Sequence, residues 1–475
     1  MLRTKIIIIL ISSYCLFAQS NIIKLHDDIF QVINGDFFEQ CQIAVSVYDL
    51  TEGESLFKNN TKLLFHPASN MKLLTTASAI INLDPEYRFS TSLYHTGIIE
   101  GDTLYGDLYI VGGLDPDFTT KDLDSLVQIV KSLKIKFIAE NIYADISIKD
   151  SIFWGKGWMW DDEPDPGAPY LSALNINDNS IKVFVEGAIV DSQANIILTP
   201  ETEYVVIDNR TKTVPATVPN DFNIDRDWLN RTNTIVVEGK VRRGEFIDSS
   251  DHQEKLSLLE PEKYFLSLFK EHLIENDISV GGVLDVKKIP ANAVFLSSIS
   301  RSIDSVIVNV NKESDNLSAE MLLYTLALKD SGAPATAENG LETVKSLVDS
   351  IGLDPDDYSF ADGSGVSRYN LVSAELLLEL LKFMYRQPGF YRYYNSLSIS
   401  GVDGTLKKRM IGTEAERRVF AKTGTLSGVS TLSGFVTTMD DHILAFSILM
   451  QNFVEKTKVA RGIQDSICNI LVDYK

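Results

Sequence analysis

Cysteine is scarce in this sequence, and apolar runs long enough to span a membrane are absent from it. The chain has 475 residues and 3 cysteines, of which Cys15 falls among the first twenty residues. The other two, Cys41 and Cys468, are too few for the disulfide framework that stabilises small secreted domains. We therefore expect a fold held together by hydrophobic cores, in which Cys41 and Cys468 are separate thiols rather than a disulfide pair.

Positive charge is also in short supply. Lysine and arginine total 44 against 65 aspartates and glutamates, which leaves a formal net charge of −21. Non-specific nucleic-acid binding needs clustered positive charge, so this class of partner is excluded. The apolar fraction of 44% is too high for an intrinsically disordered chain. The length predicts two or three globular domains.

The N-terminus has the three parts of an export signal. Arg3 and Lys5 supply a positive start, residues 6–17 form an apolar run, and residues 18–20 (Ala-Gln-Ser) offer small side chains for cleavage. The run is too short to remain as a membrane anchor, because a spanning helix needs about 20 apolar residues. We expect residues 1–20 to be removed, no transmembrane segment in the mature chain, and a periplasmic or secreted location.

Ser69 and Lys72 form an S-x-x-K motif at the predicted start of a buried helix. Pro67 suits a first helical turn, and the apolar residues that follow Lys72 recur at helical spacing. Residues three apart share a helix face, so Lys72 should lie beside Ser69. A serine hydroxyl becomes a nucleophile when a base takes its proton, and a desolvated lysine can be that base. Because S-x-x-K is common by chance, the motif needs partners elsewhere in the chain.

Two further motifs supply such partners. Residues 314–316 (Ser-Asp-Asn) are an S-x-N sequence before a predicted helix at 317–329. Residues 422–424 (Lys-Thr-Gly) are a K-T-G sequence on a predicted strand, 418–425. Each is weak alone, since an S-x-N is usually a helix cap. Together, S-x-x-K, S-x-N and K-T-G are typical of active-site serine enzymes that react with penicillin, and they occur here in that order.

Elimination also favours a lysine base. The histidines are His26, His66, His95, His252, His272 and His442. None of them stands beside a nucleophile in a recognised triad context, such as a G-x-S-x-G elbow. The acidic segment 115–124 lacks the spacing of a calcium loop, so we predict neither a metal nor a cofactor.

The three motifs together describe a nucleophile and a route for its proton. Ser69 attacks a peptide carbonyl and forms an acyl-enzyme. Lys72 accepts the proton, and we expect burial and a cationic neighbour to lower its pKa. Ser314 can then pass the proton to the leaving amine as a general acid.

The remaining motif residues are suited to binding the substrate. Lys422 supplies positive potential. With the hydroxyls of Thr423 and Thr425, it can form a binding site for a terminal carboxylate. Asn316 can bind the substrate amide through its side chain. We therefore predict that these four residues position a peptide that ends in a free carboxylate.

With these motifs, the sequence resembles the class C low-molecular-mass penicillin-binding proteins, the D-alanyl-D-alanine carboxypeptidase/endopeptidases. Residues 362–368 (DGSGVSR) with Asn370, and residues 401–406 (GVDGTL), are similar to stretches of that family. The resemblance covers essentially the whole mature chain. It implies hydrolysis of peptidoglycan stem peptides or cross-links through an acyl-enzyme, and β-lactam antibiotics as covalent inhibitors. It also implies an oxyanion hole formed by the backbone N–H groups of Ser69 and Thr425.

Residues 158–162 (WMWDD) resemble a tryptophan- and acid-bearing stretch in the inserted region of that family. A cross-linked peptidoglycan peptide carries an amino group near the bond to be cut, and Asp161 or Asp162 can bind that cation; we take Asp162 as the candidate. The alternative is a packed aromatic turn whose carboxylates are merely solvated. The sequence leaves both interpretations open.

Three other functions share parts of this pattern. A β-lactamase would need a rapid deacylation device, yet no glutamate motif of the class A kind lies between Ser69 and Ser314, and the long insert is untypical. A non-catalytic wall-binding protein would be expected to lack the nucleophile or the base, and both are intact. An esterase or D-amino-acid peptidase on the same scaffold stays open, because a fold does not determine its substrate.

The order of predicted elements indicates an α+β fold with an antiparallel sheet. Outside the middle of the chain the pattern predicts helices at 22–33, 317–329, 335–350, 372–386 and 456–473, and strands at 43–47, 55–57, 418–425, 431–439 and 443–451. The resemblance implies a transpeptidase domain like that of penicillin-binding proteins and serine β-lactamases, with helices on both faces of the sheet. We expect this domain in residues 21–88 and 288–475.

The middle of the chain has a different texture, with short strands separated by glycine, aspartate, asparagine and proline. It predicts strands at 89–99, 103–111, 181–189, 203–208 and 234–241, and helices at 120–134 and 261–275. We therefore predict that residues 89–287 form a β-rich insertion into the domain that carries the three motifs. We expect two nested subdomains within it.

Overall fold

The structure is a computed structural model that describes residues 21–244 and 253–475. The predicted export signal lies outside the described residues. Within those two ranges, no helix is both long and apolar enough to cross a membrane. Cys41 and Cys468 are free thiols, as expected, and burial raises the pKa of Cys468 to about 12.

The long helices follow the apolar periodicity of the sequence. Among the described residues the helices are α1 (21–33), α2 (Met71–Asn82), α3 (Thr120–Ser132), α4 (Pro261–Glu275), α5 (Ile303–Val308), α6 (Asn316–Ser331), α7 (Ala337–Ile351), α8 (Ala374–Tyr385), α9 (Phe390–Ser396) and α10 (Thr457–Val472). Every predicted helix is confirmed, with ends that differ by a few residues. The sequence does not predict α5, whose β-branched residues favour a strand by local propensity; three of them, Ile303, Val306 and Ile307, are buried here in a helix.

The strands are short and numerous. In the described chain they are β1 (Gln42–Asp49), β2 (Glu54–Asn59), β3 (Arg88–His95), β4 (Ile98–Glu100), β5 (Thr103–Tyr105), β6 (Leu108–Val111), β7 (Phe137–Ile138), β8 (Ile142–Asp145), β9 (Ser180–Glu186), β10 (Asn195–Thr199), β11 (Val206–Val214), β12 (Asp221–Arg226), β13 (Thr234–Arg242), β14 (Gln253–Ser257), β15 (Ser279–Val280), β16 (Leu284–Val286), β17 (Val294–Ser302), β18 (Ser398–Ile399), β19 (Val419–Leu426), β20 (Val429–Thr437) and β21 (Ile443–Gln451). The C-terminal hairpin strands agree with the prediction. The middle region contains more strands than the prediction has, because pieces of two to six residues show no clear alternation.

Two predicted strands are each divided by a glycine. The predicted strand 89–99 becomes β3 and β4, separated at Gly97, which has φ +72°. The predicted strand 103–111 becomes β5 and β6, separated at Gly106. A Cβ atom on Gly97 would lie 1.9 Å from the Tyr105 main-chain oxygen, so the two segments approach each other as only glycine allows.

The described chain forms two compact units. The first unit contains residues 21–85, 307–315 and 340–475, and the second contains residues 86–244, 253–306 and 316–339. The sequence prediction placed the limits of the insertion at 89 and 287. Those limits stay a prediction, and so does its division into two nested subdomains.

The first unit is built on one antiparallel sheet with the strand order β18-β19-β20-β21-β1-β2. Nearly every residue of β20 and β21 is buried. Because side chains alternate between the two faces of a strand, both faces of the sheet are covered. Helix α8 packs against β1 and β21, and helix α10 packs against β20 and β21. Helix α2 is buried from Met71 to Ile80.

The second unit contains several smaller sheets around its own apolar core. The largest is a mixed sheet with the order β16-β8-β6-β3-β17, and the others are β15-β7-β5-β4, β10-β9-β14 and β11-β13-β12. Helices α3 and α4 pack against each other beside the mixed sheet. Arg301 donates hydrogen bonds to Asp115 and Asp122, so these acids belong to an ion-pair cluster in which Asp122 also caps α3.

Candidate active site

Ser69 and Lys72 lie at the junction between a turn and helix α2. The sequence predicts that Ser69 begins the helix, but residues Ala68–Asn70 form a 3-10 turn and the α-helix starts at Met71. Lys72 is fully buried. Its Nζ atom donates a hydrogen bond to Ser69 Oγ over 3.1 Å. The predicted juxtaposition of the two side chains is therefore present.

A tight loop holds the second acceptor of Lys72. Lys72 Nζ donates to the main-chain oxygen of Ser364 over 2.7 Å. The Asp362 carboxylate organises this loop by accepting from the backbone N–H groups of Gly365 and Ser367 and from the side-chain amide of Asn370. These residues lie in the stretch that the sequence analysis noted for its family resemblance, although no role was assigned to them there. Their contacts indicate that they position the Lys72 amine.

Ser314 follows a π-helical segment, Asn309–Glu313, and has left-handed backbone angles with φ +63° and ψ +32°. This conformation is uncommon for residues other than glycine and indicates a constrained position. Ser314 Oγ accepts a hydrogen bond from Lys422 Nζ over 2.7 Å. The S-x-N and K-T-G motifs are thus in direct contact through their first residues.

Lys422 lies on β19 and is fully buried. Besides Ser314, its Nζ atom donates to the main-chain oxygen of Thr423 over 3.1 Å. Burial lowers the pKa of Lys422 well below its ordinary value, and the nearby positive charge of Lys72 lowers it further. Two lysine amines therefore share one region of low dielectric, each in contact with a different serine hydroxyl.

Three contacts join the Ser69 turn to the sheet. The Asn70 side-chain amide donates to the main-chain oxygen of Lys422 over 2.8 Å. The Thr431 hydroxyl donates to the main-chain oxygen of Pro67 over 2.9 Å. A Cβ atom on Gly424 would lie 2.9 Å from the Ser69 backbone nitrogen and 2.2 Å from Thr431 Oγ1. The glycine of the K-T-G motif therefore leaves room for the strand to approach Ser69.

The two threonines of β19 differ in their contacts. Thr423 Oγ1 donates to Thr405 Oγ1 over 2.8 Å. Thr425 is exposed at the end of the strand, and its hydroxyl accepts a hydrogen bond from Arg461 on α10 over 3.3 Å. Arg461 was not among the predicted site residues, because nothing in the sequence links a terminal helix to the K-T-G motif.

Comparison with known proteins identifies the family of the chain. The family model described as "D-Ala-D-Ala carboxypeptidase 3 (S13) family" matches residues 25–474. The chain belongs to this family. The family predicted from the motifs is thus confirmed, and so is the enzyme class, a serine-type D-Ala-D-Ala carboxypeptidase. Among curated relatives, this family member is 32% identical to a D-alanyl-D-alanine carboxypeptidase of Actinomadura sp. (strain R39) over 466 residues, covering 95% of this chain and 85% of the relative.

Three further comparisons with this S13 family member extend over most of its length. It is 25% identical to the D-alanyl-D-alanine carboxypeptidase DacB of Haemophilus influenzae, covering 86% of this chain and 85% of the relative. The crystal structure of penicillin binding protein 4 (dacB) from Haemophilus influenzae has a TM-score of 0.82 at 24% identity, covering 94% of this chain and 99% of that one. A structure of that protein complexed with a β-lactam has a TM-score of 0.76. The predicted α+β fold is confirmed.

Two predicted site residues of the S13 family member, Asn316 and Asp162, belong to the second unit. Asn316 begins helix α6, one residue earlier than predicted, and its side-chain amide donates to the main-chain oxygen of Gly167. Asp162 is half-buried, and its Oδ2 atom accepts from the Met159 backbone N–H over 2.7 Å. Each side chain thus has a local partner, and the substrate-binding role assigned to each stays a prediction.

Proposed function

We propose that this enzyme removes the terminal D-alanine of peptidoglycan stem peptides through an acyl-enzyme on Ser69, and that β-lactams acylate the same serine. The observation that carries the proposal is the pair of short contacts Lys72 Nζ–Ser69 Oγ, 3.1 Å, and Lys422 Nζ–Ser314 Oγ, 2.7 Å. These contacts provide a nucleophile, a base and a second hydroxyl in one buried, positively charged region. A nucleophile and base in hydrogen-bond contact are the signature of covalent catalysis.

In the acylation step, the Ser69 oxygen attacks the carbonyl carbon of the penultimate D-alanine. Its proton moves to Lys72, whose fully buried amine lies 3.1 Å from the Ser69 oxygen and can act as the base. The tetrahedral intermediate places negative charge on the former carbonyl oxygen. Backbone N–H groups of Ser69 and Thr425 stabilise that charge in our proposal, and loss of one such donor typically costs ~100-fold or more in rate.

The intermediate collapses when the leaving amine receives a proton. Ser314 supplies it as a general acid and is itself reprotonated from Lys72, so the proton taken from Ser69 leaves with D-alanine. Water then attacks the acyl-enzyme with Lys72 again as base, and Ser69 is regenerated. Every proton is thereby returned, and no metal or cofactor is required.

Substrate binding in this proposal uses the strand and the S-x-N motif. Lys422, Thr423 and Thr425 bind the terminal carboxylate through charge and hydroxyl groups. Asn316 binds the substrate amide, a role supported by its place two residues after Ser314 in the motif. A free carboxylate at the end of the peptide is then the feature that the enzyme recognises.

Labelling with a fluorescent penicillin tests the nucleophile. Wild-type protein should form a stable covalent adduct, and Ser69→Ala should form none. Ser78→Ala is the matched control, because it removes a hydroxyl from the same buried helix without touching the motifs, and it should label like wild type. A label retained by Ser69→Ala would show that another residue is the nucleophile, and rapid nitrocefin turnover without a lasting adduct would indicate a β-lactamase. Product analysis on purified muropeptides then identifies the bond that is cut.

We further propose that the enzyme cleaves cross-links and that Asp162 binds the amino group of the cross-linked peptide. The acidic side chains in and after residues 158–162 support a site for a cation. Asp162→Ala should lower kcat/KM on a cross-linked muropeptide dimer more than on a pentapeptide monomer. Asp161→Ala is the matched control and should affect both substrates equally. Equal losses for Asp162→Ala on both substrates, or a selective loss for Asp161→Ala, would contradict the assignment.

The place of action that we propose is the periplasm or the outer side of the cell envelope. The N-terminal pattern of Arg3, Lys5 and the apolar run 6–17 supports export. The proposed substrate, peptidoglycan, lies in the same compartment. Mass spectrometry of protein secreted by a cell should give a mature chain that begins after residue 20, and a retained N-terminus would contradict the export signal.

A further inference from the structure

The guanidinium of Arg461 lies at the end of the K-T-G strand. Arg461 belongs to helix α10, and its Nη2 atom donates a hydrogen bond to Thr425 Oγ1 over 3.3 Å. Thr425 is the residue that follows the K-T-G motif, and its hydroxyl is exposed. A hydroxyl can donate one hydrogen bond and accept others. Because Arg461 donates to it, the Thr425 hydroxyl proton is available to an anion.

Among the described residues, Arg461 forms no ion pair with a carboxylate. The acid one helical turn further on, Asp465, is held by Arg409 through bonds of 2.6 and 2.9 Å to the same carboxylate oxygen. In the part of the chain that the structure describes, no carboxylate lies within 4.0 Å of the Arg461 guanidinium, and Thr425 Oγ1 is its hydrogen-bond acceptor. The Asp465 charge still attracts Arg461 from a distance, but no carboxylate of the described residues forms an ion pair with its guanidinium, which leaves N–H groups for an anionic ligand.

We propose that Arg461 binds the terminal carboxylate of the substrate together with the Thr425 hydroxyl, and so determines the specificity for peptides with a free C-terminus. This inference rests on the carboxypeptidase function proposed above and names a residue for its specificity. The planar guanidinium presents paired N–H groups that match the two oxygens of a carboxylate. The same contact would receive the carboxylate of a penicillin.

Lys422 alone is poorly suited to this task. Its Nζ atom already donates to Ser314 Oγ and to the Thr423 main-chain oxygen. Burial and the Lys72 charge lower the pKa of Lys422, so its charge is lost at a lower pH than that of an ordinary lysine. Arginine keeps its charge throughout the physiological range. Burial and the charge of Arg409 lower the pKa of Arg461 too, but an arginine starts from a much higher pKa than a lysine, so Arg461 keeps its charge over a wider pH range than Lys422.

Steady-state kinetics on a matched pair of peptides tests the proposal. The two substrates are an acyl-D-Ala-D-Ala tripeptide with a C-terminal carboxylate and the same peptide as its C-terminal amide. Arg461→Gln should lower kcat/KM on the carboxylate by roughly 10- to 100-fold, the effect expected for a lost hydrogen bond to a charged group, mainly through a higher KM. On the amide, Arg461→Gln should change kcat/KM by less than about twofold, because no anion is bound there.

Two further variants separate charge from structure. Arg461→Lys keeps the charge and should recover much of the loss on the carboxylate. Lys458→Gln removes a charge from the first turn of the same helix at an exposed position, and it should leave both substrates unaffected. If the wild type does not cleave the amide at a measurable rate, the same comparison is made with acylation by benzylpenicillin and by its methyl ester.

The experiments distinguish an error in the role of Arg461 from an error in the proposed carboxypeptidase function. If wild-type protein is not labelled by penicillin at Ser69, the carboxypeptidase mechanism itself is wrong. If the wild type is labelled and cleaves the carboxylate, but Arg461→Gln matches it or loses equally on both substrates, the role of Arg461 is wrong. A selective loss on the carboxylate, with recovery in Arg461→Lys, is the result that we expect.

Discussion

The side-chain amide of Asn70 donates a hydrogen bond to the main-chain oxygen of Lys422 over 2.8 Å, across 352 positions of sequence. This bond ties the residue after the nucleophile to the first residue of the K-T-G motif. Both partners are fully buried. A buried main-chain oxygen is costly to leave without a donor, so this bond helps to fix the position of the strand relative to Ser69.

Asn70→Ala should therefore lower both stability and reactivity. In this variant the buried main-chain oxygen of Lys422 loses the hydrogen bond from the Asn70 side-chain amide. This loss should lower the free energy of unfolding by about 1–3 kcal/mol. The rate of acylation by fluorescent penicillin should fall roughly 10-fold or more, because small displacements of reacting groups are expensive. Urea denaturation and time-resolved labelling measure the two effects.

Asn82→Ala is the control for that variant. The Asn82 amide donates to the main-chain oxygen of Ser78 within α2 itself, so its removal should leave acylation unchanged. If Asn70→Ala labels at the wild-type rate, the bond to Lys422 has no part in positioning the nucleophile.

Gly424→Ala should impair the chemistry without unfolding the protein. The added methyl group would lie 2.2 Å from Thr431 Oγ1 and 2.9 Å from both Pro67 O and the Ser69 nitrogen, so the strand or the Ser69 turn must move. We expect acylation to slow by about 100-fold, with an unchanged circular dichroism spectrum. Gly462→Ala is the control, because a Cβ on Gly462 in α10 meets open space and should stabilise the helix by up to ~1 kcal/mol. Wild-type acylation by Gly424→Ala would contradict the predicted close approach.

The pKa of Lys422 should depend on Lys72. Burial lowers the pKa of Lys422 most, and the Lys72 charge lowers it further. Lys72→Met removes the Lys72 charge and keeps Lys422 buried. The pKa of Lys422 should therefore rise but remain below its ordinary value. Nuclear magnetic resonance of isotope-labelled lysine side chains follows this titration directly.

Lys58→Met provides the comparison for the Lys422 titration. Lys58 lies on β2, at the edge of the sheet opposite to the K-T-G strand, and its loss should not move the Lys422 titration. An unchanged or lower pKa of Lys422 in Lys72→Met would show that the two amines are not coupled.

His442 should make stability depend on pH. Its Nδ1 atom lies 2.7 Å from Oδ2 of the buried Asp49, and the hydrogen bond to that carboxylate raises the pKa of His442. Since the folded pKa exceeds the unfolded value of about 6.5, the stabilisation is complete below pH ~6.5 and is lost as pH rises through the folded pKa. The difference in free energy of unfolding between wild type and His442→Asn should therefore be largest in acid and shrink in alkali.

A double-mutant cycle checks the cause of that pH dependence. Asp49→Asn should abolish most of the pH-dependent part of the His442→Asn effect, because it removes the charge that the imidazolium faces. A difference between wild type and His442→Asn that stays constant from pH 5 to about pH 9 would rule out the ion pair as its source.

Most of the long helices and the C-terminal hairpin of this protein could be predicted from its sequence. Helices such as α8 and α10 have apolar residues at the spacing of one buried face, and the β20–β21 hairpin has strongly apolar arms. These signals depend on neighbours within about ten residues, so they can be read without the fold. Local propensity failed where burial overrode it, as in the β-branched helix α5, and where glycines divided a strand, as at Gly97.

The sequence predicted which residues form the candidate site, but it predicted only part of how they are arranged. The order of S-x-x-K, S-x-N and K-T-G predicted Ser69, Lys72, Ser314 and Lys422 as site residues, because the motifs themselves contain the side chains that the chemistry needs. The hydrogen bonds that hold these residues in place could not be predicted, because the side chains of Asn70, Thr431 and Asp362 meet their partners only in the folded chain. Arg461 lay outside every motif for the same reason.

The sequence by itself determined the family, the acidic balance and the apolar patterns of the long helices, and it predicted a nucleophile and a base. Only the tertiary structure decided which atoms meet. It placed Lys422 against Ser314 with a lowered pKa, tied Asn70 to the K-T-G strand and brought Arg461 to Thr425. The physical reason is that side-chain type and periodicity are local properties. Burial, charge coupling and close packing arise between residues that are hundreds of positions apart and become neighbours only in the folded chain.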